Sequence, residues 1–270
     1  MPELPEVETI ARGLAPELEG RTVTGVVVRD TRLRAPLAPD FARRLTGRRL
    51  GRMGRTGKYL LTPLDDGRVW LVHLGMTGRL TLGGSHRVAL VHDHVALVLD
   101  DRRTLVYHDP RRFGRLDVMA AAEIAGIVGP GIDALDVSLT ASWLFARSRG
   151  RRTTAKALLM DQHAIAGLGN IYVSELLFRA GVRPRRRAAR LSREDCERLI
   201  AAMRTVLSEA IARGGSSISD YRDGFDRAGS FQNEHAVYDR AGQPCCRCAT
   251  AIRSIVITGR SSFYCPSCQR

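Results

Sequence analysis

Four cysteines near the C-terminal end have the clearest chemical spacing in the sequence. Cys245 and Cys248 form one C-x2-C pair, Cys265 and Cys268 another, and sixteen residues lie between the pairs. Each close pair can grip one edge of a tetrahedron, and the segment Ile252 to Phe263 is long enough to be a hairpin joining them. One structural zinc on Cys245, Cys248, Cys265 and Cys268 is therefore expected. Two disulfides are the competing reading, and they suit a secreted chain. Cys246 leaves open a C-x-C choice with Cys248. Arg260, between Gly259 and Ser261 near the expected tip of the hairpin, fits a phosphate contact and a solvated surface arginine equally well.

Other residues point to anion chemistry. Of the 42 basic residues all but Lys58 and Lys156 are arginine, whose planar fork donates two parallel hydrogen bonds to a phosphate. Gly167-Leu168-Gly169-Asn170 runs into a helical pattern from Ile171 to Ala180. Asn170 could cap that helix and leave its first amides facing a phosphate, although short glycine loops before helices are common. Glu6 and Glu8 fall in the first turn of an N-terminal helix, where carboxylates favour the positive end of the dipole. On spacing alone they are helix-start residues.

The elements that must position these groups fall into two sets. Val7, Ile10, Leu14 and Leu18 recur at helical spacing, with Pro5 suited to the first turn and Gly20 to the stop. From residue 22 to residue 107 the apolar residues come in short runs: Val23 to Val28, Tyr59 to Leu61, Val69 to Leu74, Val95 to Leu99 and Thr104 to Tyr107. Those runs predict a sandwich or barrel rather than alternating strand-helix units. After about residue 130 the period changes, and Cys196, Leu199, Ile200, Met203, Val206, Leu207 and Ile211 form one helical stripe behind a Ser192 to Asp195 capping box. Cys196 reads as a buried thiol. Residues 214–231, rich in glycine and poor in apolar side chains, read as a lid, a binding loop or a disordered stretch.

Composition narrows the partner. The chain has 270 residues, 44% hydrophobic and 26% charged, with a formal net charge of +14. It is long enough for two domains, and the excess of base implies a polyanion, nucleic acid first. No apolar run of 18 residues interrupts it, and the start Met-Pro-Glu-Leu-Pro-Glu is acidic where a signal peptide is basic. No membrane association, a location in the bacterial cytosol and a monomeric state are expected.

Six ordered motifs then carry a family resemblance: MPELPEVET at the start, GKYLL at 57–61, HLGMTG at 73–78, HDPRRFGRL at 108–116, GLGNIYVSELLF at 167–178 and GRSSFYCPSCQ at 259–269. The chain resembles the formamidopyrimidine-DNA glycosylases from its first residue to its last few. The resemblance implies an α+β protein of two domains. Residues 1–130 would form a catalytic β-sandwich with an N-terminal helix. Residues 131–232 would form a helix-two-turn-helix DNA-binding domain carrying the lesion loop 214–231, followed by a zinc finger at 236–270. Damaged double-stranded DNA would lie in the cleft between the domains.

The resemblance also implies roles. Removal of Met1 exposes Pro2, whose secondary amine attacks C1′ of the damaged nucleotide; Glu3 is the general acid and base, and Lys58 and Arg260 assist elimination. An α-amine has a pKa near 7.7 to 8.0 against about 10.4 for lysine, so at neutral pH it is the free base roughly several hundredfold more often. His73, His92, Arg111, Arg152 and Asn170 match DNA contacts, and Met76, Arg111 and Phe113 match the side chains that fill the space left by an extruded nucleotide. Spacing alone would make Met76 and Phe113 core residues. Glu6, Ser216, Ile218, Ser219, Asp220 and Tyr221 match the base-binding group, mostly through loop backbone.

The resemblance favours excision of oxidised purines, 8-oxoguanine and formamidopyrimidines, with strand cleavage by β,δ-elimination. Leu4 supports this branch, since the related endonuclease VIII group typically has glycine there. A pyrimidine-specific glycosylase of that group and a non-catalytic zinc-finger protein that senses damage are the alternatives. Ala249, where family fingers commonly have glycine, is a departure that concerns the geometry of one turn.

Overall fold

The structure is a computed structural model that describes residues 2–84, 88–218 and 220–270. It divides into two compact units, Met1–Val128 with Arg213–Ser230, and Gly129–Ala212 with Phe231–Arg270.

The first unit begins with helix α1 (Leu4–Leu18), whose buried stripe of Val7, Ile10, Leu14 and Leu18 is the one set by their spacing. Eight strands follow: β1 (Val23–Val28), β2 (Gly54–Thr56), β3 (Tyr59–Pro63), β4 (Arg68–His73), β5 (Arg79–Gly83), β6 (Asp93–Leu99), β7 (Thr104–His108) and β8 (Arg115–Ala120). They pair antiparallel in two four-stranded sheets, β1-β6-β7-β5 and β2-β3-β4-β8. Leu60, Trp70, Val72, Leu116 and Val118 of one sheet share a core with Leu80, Val95, Leu97, Leu105 and Tyr107 of the other and with the stripe of α1. This is the β-sandwich with an N-terminal helix expected from the sequence. A short helix α2 (Phe41–Leu45) joins β1 to β2, and α3 (Ile124–Val128) ends the first pass through the unit.

One expectation is corrected. The resemblance put residues 214–231 with the helical domain at 131–232, but Arg213–Ser230 packs with the sandwich. Tyr221 explains why: its ring is 6% exposed and sits in the sandwich core. The Leu82 amide, at the edge of the β1-β6-β7-β5 sheet, donates to the Gly224 carbonyl at 2.8 Å. One large buried aromatic outweighs the polar, glycine-rich character that made the stretch look unattached.

The second unit holds α4 (Ala141–Ser148), α5 (Ala155–Met160), α6 (Asn170–Arg179) and α7 (Arg193–Ala212), with a two-residue parallel pair β9 (Ile132–Asp133) and β10 (Ile165–Ala166). Thr140 and Thr154 cap α4 and α5 by accepting the Trp143 and Ala157 amides. The capping box of α7 is formed on both sides, Ser192 N to Asp195 Oδ2 at 2.8 Å and Asp195 N to Ser192 Oγ at 3.0 Å. Cys196 is fully buried, and burial pushes its thiol up to about 11. The hairpin β11 (Arg253–Ile257) and β12 (Arg260–Tyr264) closes the chain. Glu175 on α6 reaches the approach to it, accepting the amides of Ala236, Val237 and Tyr238 at 2.8 to 3.0 Å. Among the described residues no helix is long and apolar enough to cross a membrane.

His235 packs edge-on against Phe231 and Tyr238, and burial holds its imidazole down to about 4. Its folded pKa lies below the unfolded value near 6.5, so the unfolded chain takes up the proton first and stability falls as pH falls from 6.5 toward 4. Between pH 7 and pH 5 the loss from this one group should be about 2 kcal/mol. Urea unfolding of the wild type and His235→Gln at both pH values measures it, and the variant should show the smaller drop.

Candidate active site and zinc centre

In the first unit, the N-terminus and the glycine-rich loop meet on one carboxylate. Pro2 and Glu3 are buried at the start of α1. The Glu3 amide donates to Glu6 Oε2 at 2.8 Å, and the Ser216 amide donates to Glu6 Oε1 at 2.7 Å. Glu6 is 1% exposed, and the Tyr221 hydroxyl donates to its carbonyl at 3.3 Å. Gly215, at φ +80°, passes so close that a Cβ there would lie 2.7 Å from Glu6 Oε1. Glu6 thus starts the helix, as its spacing says, and also anchors the loop, which spacing does not say. Within the loop, Ser217 Oγ donates to the Tyr221 carbonyl and accepts the Gly229 amide. Ile218 is exposed, Asp220 lies 4.0 Å from Arg79, and Ser219 lies outside the described residues.

Lys58 sits in the two-residue turn between β2 and β3, whose pairing runs to Thr56 and Tyr59. Arg55 ties that turn to α1, with Nε donating to Glu8 Oε2 and Nη1 to the Gly57 carbonyl, both at 2.8 Å. His73 ends β4, paired with Tyr59 in the neighbouring strand, and their rings lie 4.8 Å apart. Burial and then the positive charges of Lys58, Arg34 and Arg115 hold His73 down to about 4. It is neutral at pH 7. The Gly75 amide donates to His73 Nδ1 at 3.2 Å, which leaves Nε2 as the N–H donor. A neutral donor beside an ammonium is suited to a phosphate oxygen.

Met76 and Phe113 are 39% and 41% exposed, so the core reading of these two fails. Arg111 is exposed and its guanidinium lies 4.6 Å from the Phe113 ring centre. His92 is half-buried beside the rings of His94 and His108.

In the second unit the cap of α6 is Gly169, one residue before the position expected. Asn170 is already helical, and its Oδ1 accepts from Lys156 Nζ at 2.5 Å. Lys156 is 1% exposed and spends its other donors on the Ser261 carbonyl at 2.9 Å and Ser262 Oγ at 2.6 Å, next to Arg260 in β12. With Oδ1 taken, the free polar group of Asn170 is its NH2 donor, still suited to an anion. Arg152 and Arg260 are exposed. Lys156 and Glu175 are positioning residues that the sequence reading assigned no role; only the rarity of lysine marked the first.

The cysteine Sγ atoms of Cys245, Cys248, Cys265 and Cys268 all lie within 4.8 Å of one another. Tetrahedral thiolate bonds to zinc imply sulfur separations of about 3.8 Å, and three of the observed ones are 3.4, 3.5 and 3.9 Å. The Arg247 and Cys268 amides approach Cys245 and Cys265 Sγ at 3.4 Å, as amides do around a bound thiolate. Thr250's hydroxyl and amide hold the Cys248 thiol down to about 6. The donor set fits one structural zinc, and exposed Cys246 stands outside it. Ala249 adopts φ +59°, a left-handed position where glycine is unstrained, so the departure noted in the sequence is tolerated at a local cost of about 1 kcal/mol.

Residues 1–116 match the formamidopyrimidine-DNA glycosylase N-terminal domain, residues 130–222 the H2TH domain of the same family, and residues 242–270 a zinc finger found in FPG and IleRS. The formamidopyrimidine-DNA glycosylase of Thiobacillus denitrificans is 48% identical, and that of Ruegeria pomeroyi 44%, each over the full length of both chains. The MutM (Fpg) crystal structure from Thermus thermophilus is 41% identical with a TM-score of 0.88, covering 99% of this chain and 98% of that one. The Lactococcus lactis Fpg in complex with DNA containing an abasic site is 29% identical with a TM-score of 0.90, covering 99% of each chain.

Cys265→Ser is expected to lower zinc content well below one per chain and to loosen the β11–β12 hairpin. Metal analysis with amide exchange across Arg253–Tyr264 checks this; full zinc content with unchanged exchange would exclude Cys265 as a ligand.

Proposed function

The chain belongs to the formamidopyrimidine-DNA glycosylase family, and from that premise we propose that Pro2 is its nucleophile and Glu3 the residue that moves protons around it. It is a DNA glycosylase of base excision repair with an accompanying lyase activity, and its partner is damaged DNA. The observation that carries the assignment is the shared carboxylate of Glu6, which fixes the backbone at Glu3 and the loop at Ser216 together.

The chemistry runs from an amine. Once Met1 is removed, the Pro2 nitrogen has a lone pair that bonds to C1′, while the bond from C1′ to the damaged base breaks and the base leaves with a proton from Glu3. The Pro2 nitrogen loses its proton, O4′ takes one, and the bond from C1′ to O4′ breaks, so the sugar ring opens to a positively charged iminium that acidifies the C2′ hydrogen. Loss of that proton to Glu3 or water expels the 3′ phosphate, and a second elimination removes the 5′ phosphate. An amide nitrogen, as in a chain that kept Met1, has no such lone pair. Elimination is eased where phosphate charge is neutralised, which is the role we give Lys58 and Arg260.

His73, His92, Arg111, Arg152 and Asn170 contact DNA in this reading. The neutral Nε2–H of His73 and the NH2 of Asn170 supply phosphate hydrogen bonds. Met76, Arg111 and Phe113 fill the space of the extruded nucleotide, for which their exposure in neighbouring loops is the support. Arg111 would donate to O2 and N3 of an orphaned cytosine, where adenine's amino group would meet it donor to donor. Glu6 and the backbone from Ser216 through Ile218, Ser219 and Asp220 to Tyr221 receive the extruded base. Zinc, when bound, supplies a cross-link between two ends of the finger; the reaction itself uses this chain's amine, carboxylate and cations. We assign oxidised purines as substrate, a domain boundary at about residue 130 with the loop 213–230 returned to the first unit, a zinc finger from about residue 236, a monomeric state and the bacterial cytosol as its place.

Borohydride reduction during reaction tests nucleophile and substrate together. With 8-oxoguanine duplex, a reduced adduct should form on Pro2, faster than with thymine glycol duplex, and a protein blocked at its N-terminus should give none. Trapping on another residue, or faster trapping with thymine glycol, would overturn the assignment.

A further inference from the structure

Two loops carry the exposed trio. Residues 74–78, after β4, hold Met76, and residues 109–114, between β7 and β8, hold Arg111 and Phe113. Beneath them Asp109 is completely buried. Its Oδ1 accepts the Thr77 hydroxyl at 2.6 Å, and its Oδ2 accepts the Gly114 amide at 2.9 Å and the Tyr107 hydroxyl at 3.1 Å. Its carbonyl meets His94 Nε2 at 2.7 Å and accepts the Arg112 amide at 3.2 Å. The Thr77 oxygen in turn accepts the Arg111 amide at 3.3 Å, which closes a ring of hydrogen bonds between the two loops.

The loops touch backbone to backbone. A Cβ on Gly75 would lie 2.4 Å from the Phe113 carbonyl carbon, and one on Gly114 would lie 2.8 Å from the His73 carbonyl oxygen. Such an approach strips water from the peptide groups, so their hydrogen bonds must be made internally. A buried carboxylate that accepts one of those amides together with two hydroxyls ties the loops strongly, because charge-assisted bonds exceed neutral ones.

We propose that Asp109, acting through Thr77 and Tyr107, is the positioning residue that locks the two loops together, so that Met76, Arg111 and Phe113 enter the duplex as one rigid wedge. The inference rests on the reading of those three side chains as void-filling. A wedge made of two independent loops would lose conformational freedom each time it inserted, and that loss would slow every event that needs a base extruded. A wedge already ordered loses little. The consequence is selective: excision of a paired lesion needs insertion, whereas cleavage at a preformed abasic site needs it less.

Thr77→Val keeps the side-chain shape and removes the donor, Thr77→Ser keeps the donor, and Tyr107→Phe removes the second donor. Single-turnover rates are read on duplexes with 8-oxoguanine opposite cytosine and with an abasic site, alongside thermal melting of each protein. Thr77→Val should slow base excision roughly tenfold, as loss of a hydrogen bond to a charged group implies. Abasic cleavage should stay within about twofold and Thr77→Ser should restore excision. Tyr107→Phe should shift the same ratio in the same direction. Met76→Ala and Phe113→Ala separate the two ideas. If both leave paired-lesion excision unchanged, the void-filling reading fails. If they slow it while Thr77→Val and Tyr107→Phe match wild type, or slow both substrates equally, the positioning role of Asp109 is overturned.

Discussion

The carboxylate of Glu6 is the contact on which the catalytic arrangement depends. It is buried, it belongs to the first turn of a helix, and its two oxygens accept the amide of Glu3 and that of Ser216, which lies 210 residues beyond Glu6. One oxygen completes the helix start at Glu3, where any helix has unsatisfied amides. The other takes the amide of Ser216, in a loop also held by the Tyr221 ring, by the Tyr221 hydroxyl on the Glu6 carbonyl and by the Leu82–Gly224 strand-edge hydrogen bond. A buried charge left without partners is costly, so helix start and loop position reinforce each other. The backbone at Glu3, next to the nucleophile we propose, and the loop that would receive the base are therefore set by the same few atoms.

Around that centre, the sandwich places charge at strand ends and turns. The Glu8–Arg55 pair holds the Lys58 turn against α1, and strand register brings His73 beside it. Desolvation and neighbouring cations keep His73 neutral, so it contributes a donor without adding repulsion to a crowded positive site. In the second unit Lys156 plays a comparable part, joining the start of α6 to β12 through neutral acceptors and aiming Asn170 and the neighbourhood of Arg260. A net charge of +14 attracts a polyanion from a distance. These local arrangements determine which atoms meet it.

Much of this was legible in the sequence, for physical reasons. The zinc ligands follow from spacing because a tetrahedron constrains close pairs. The stripe of α1 and the α7 capping box follow from local periodicity and local hydrogen bonding. What was not legible depends on contacts distant in the chain. The loop at 213–230 returns to the first unit because of Tyr221, a single residue in a polar stretch. Gly169 rather than Asn170 caps α6 because Lys156 claims the asparagine oxygen. Met76 and Phe113 look like core residues by type and prove exposed, in two loops that hydrogen bonds to Asp109 tie together. Asp109 lay inside a recognised motif, but nothing in its spacing pointed to Thr77, 32 residues away.

The central claim is that Glu6 holds the N-terminus and the loop as one unit. Amide hydrogen exchange in the absence of DNA, comparing wild type with Glu6→Ala, tests it most directly. Both the amide at Glu3 and those from Ser216 to Tyr221 should exchange faster in the variant, by roughly tenfold for bonds to a charged acceptor. Unchanged exchange in the loop, with only the helix start affected, would mean that Glu6 is a helix-start residue alone and that the loop is held by other contacts.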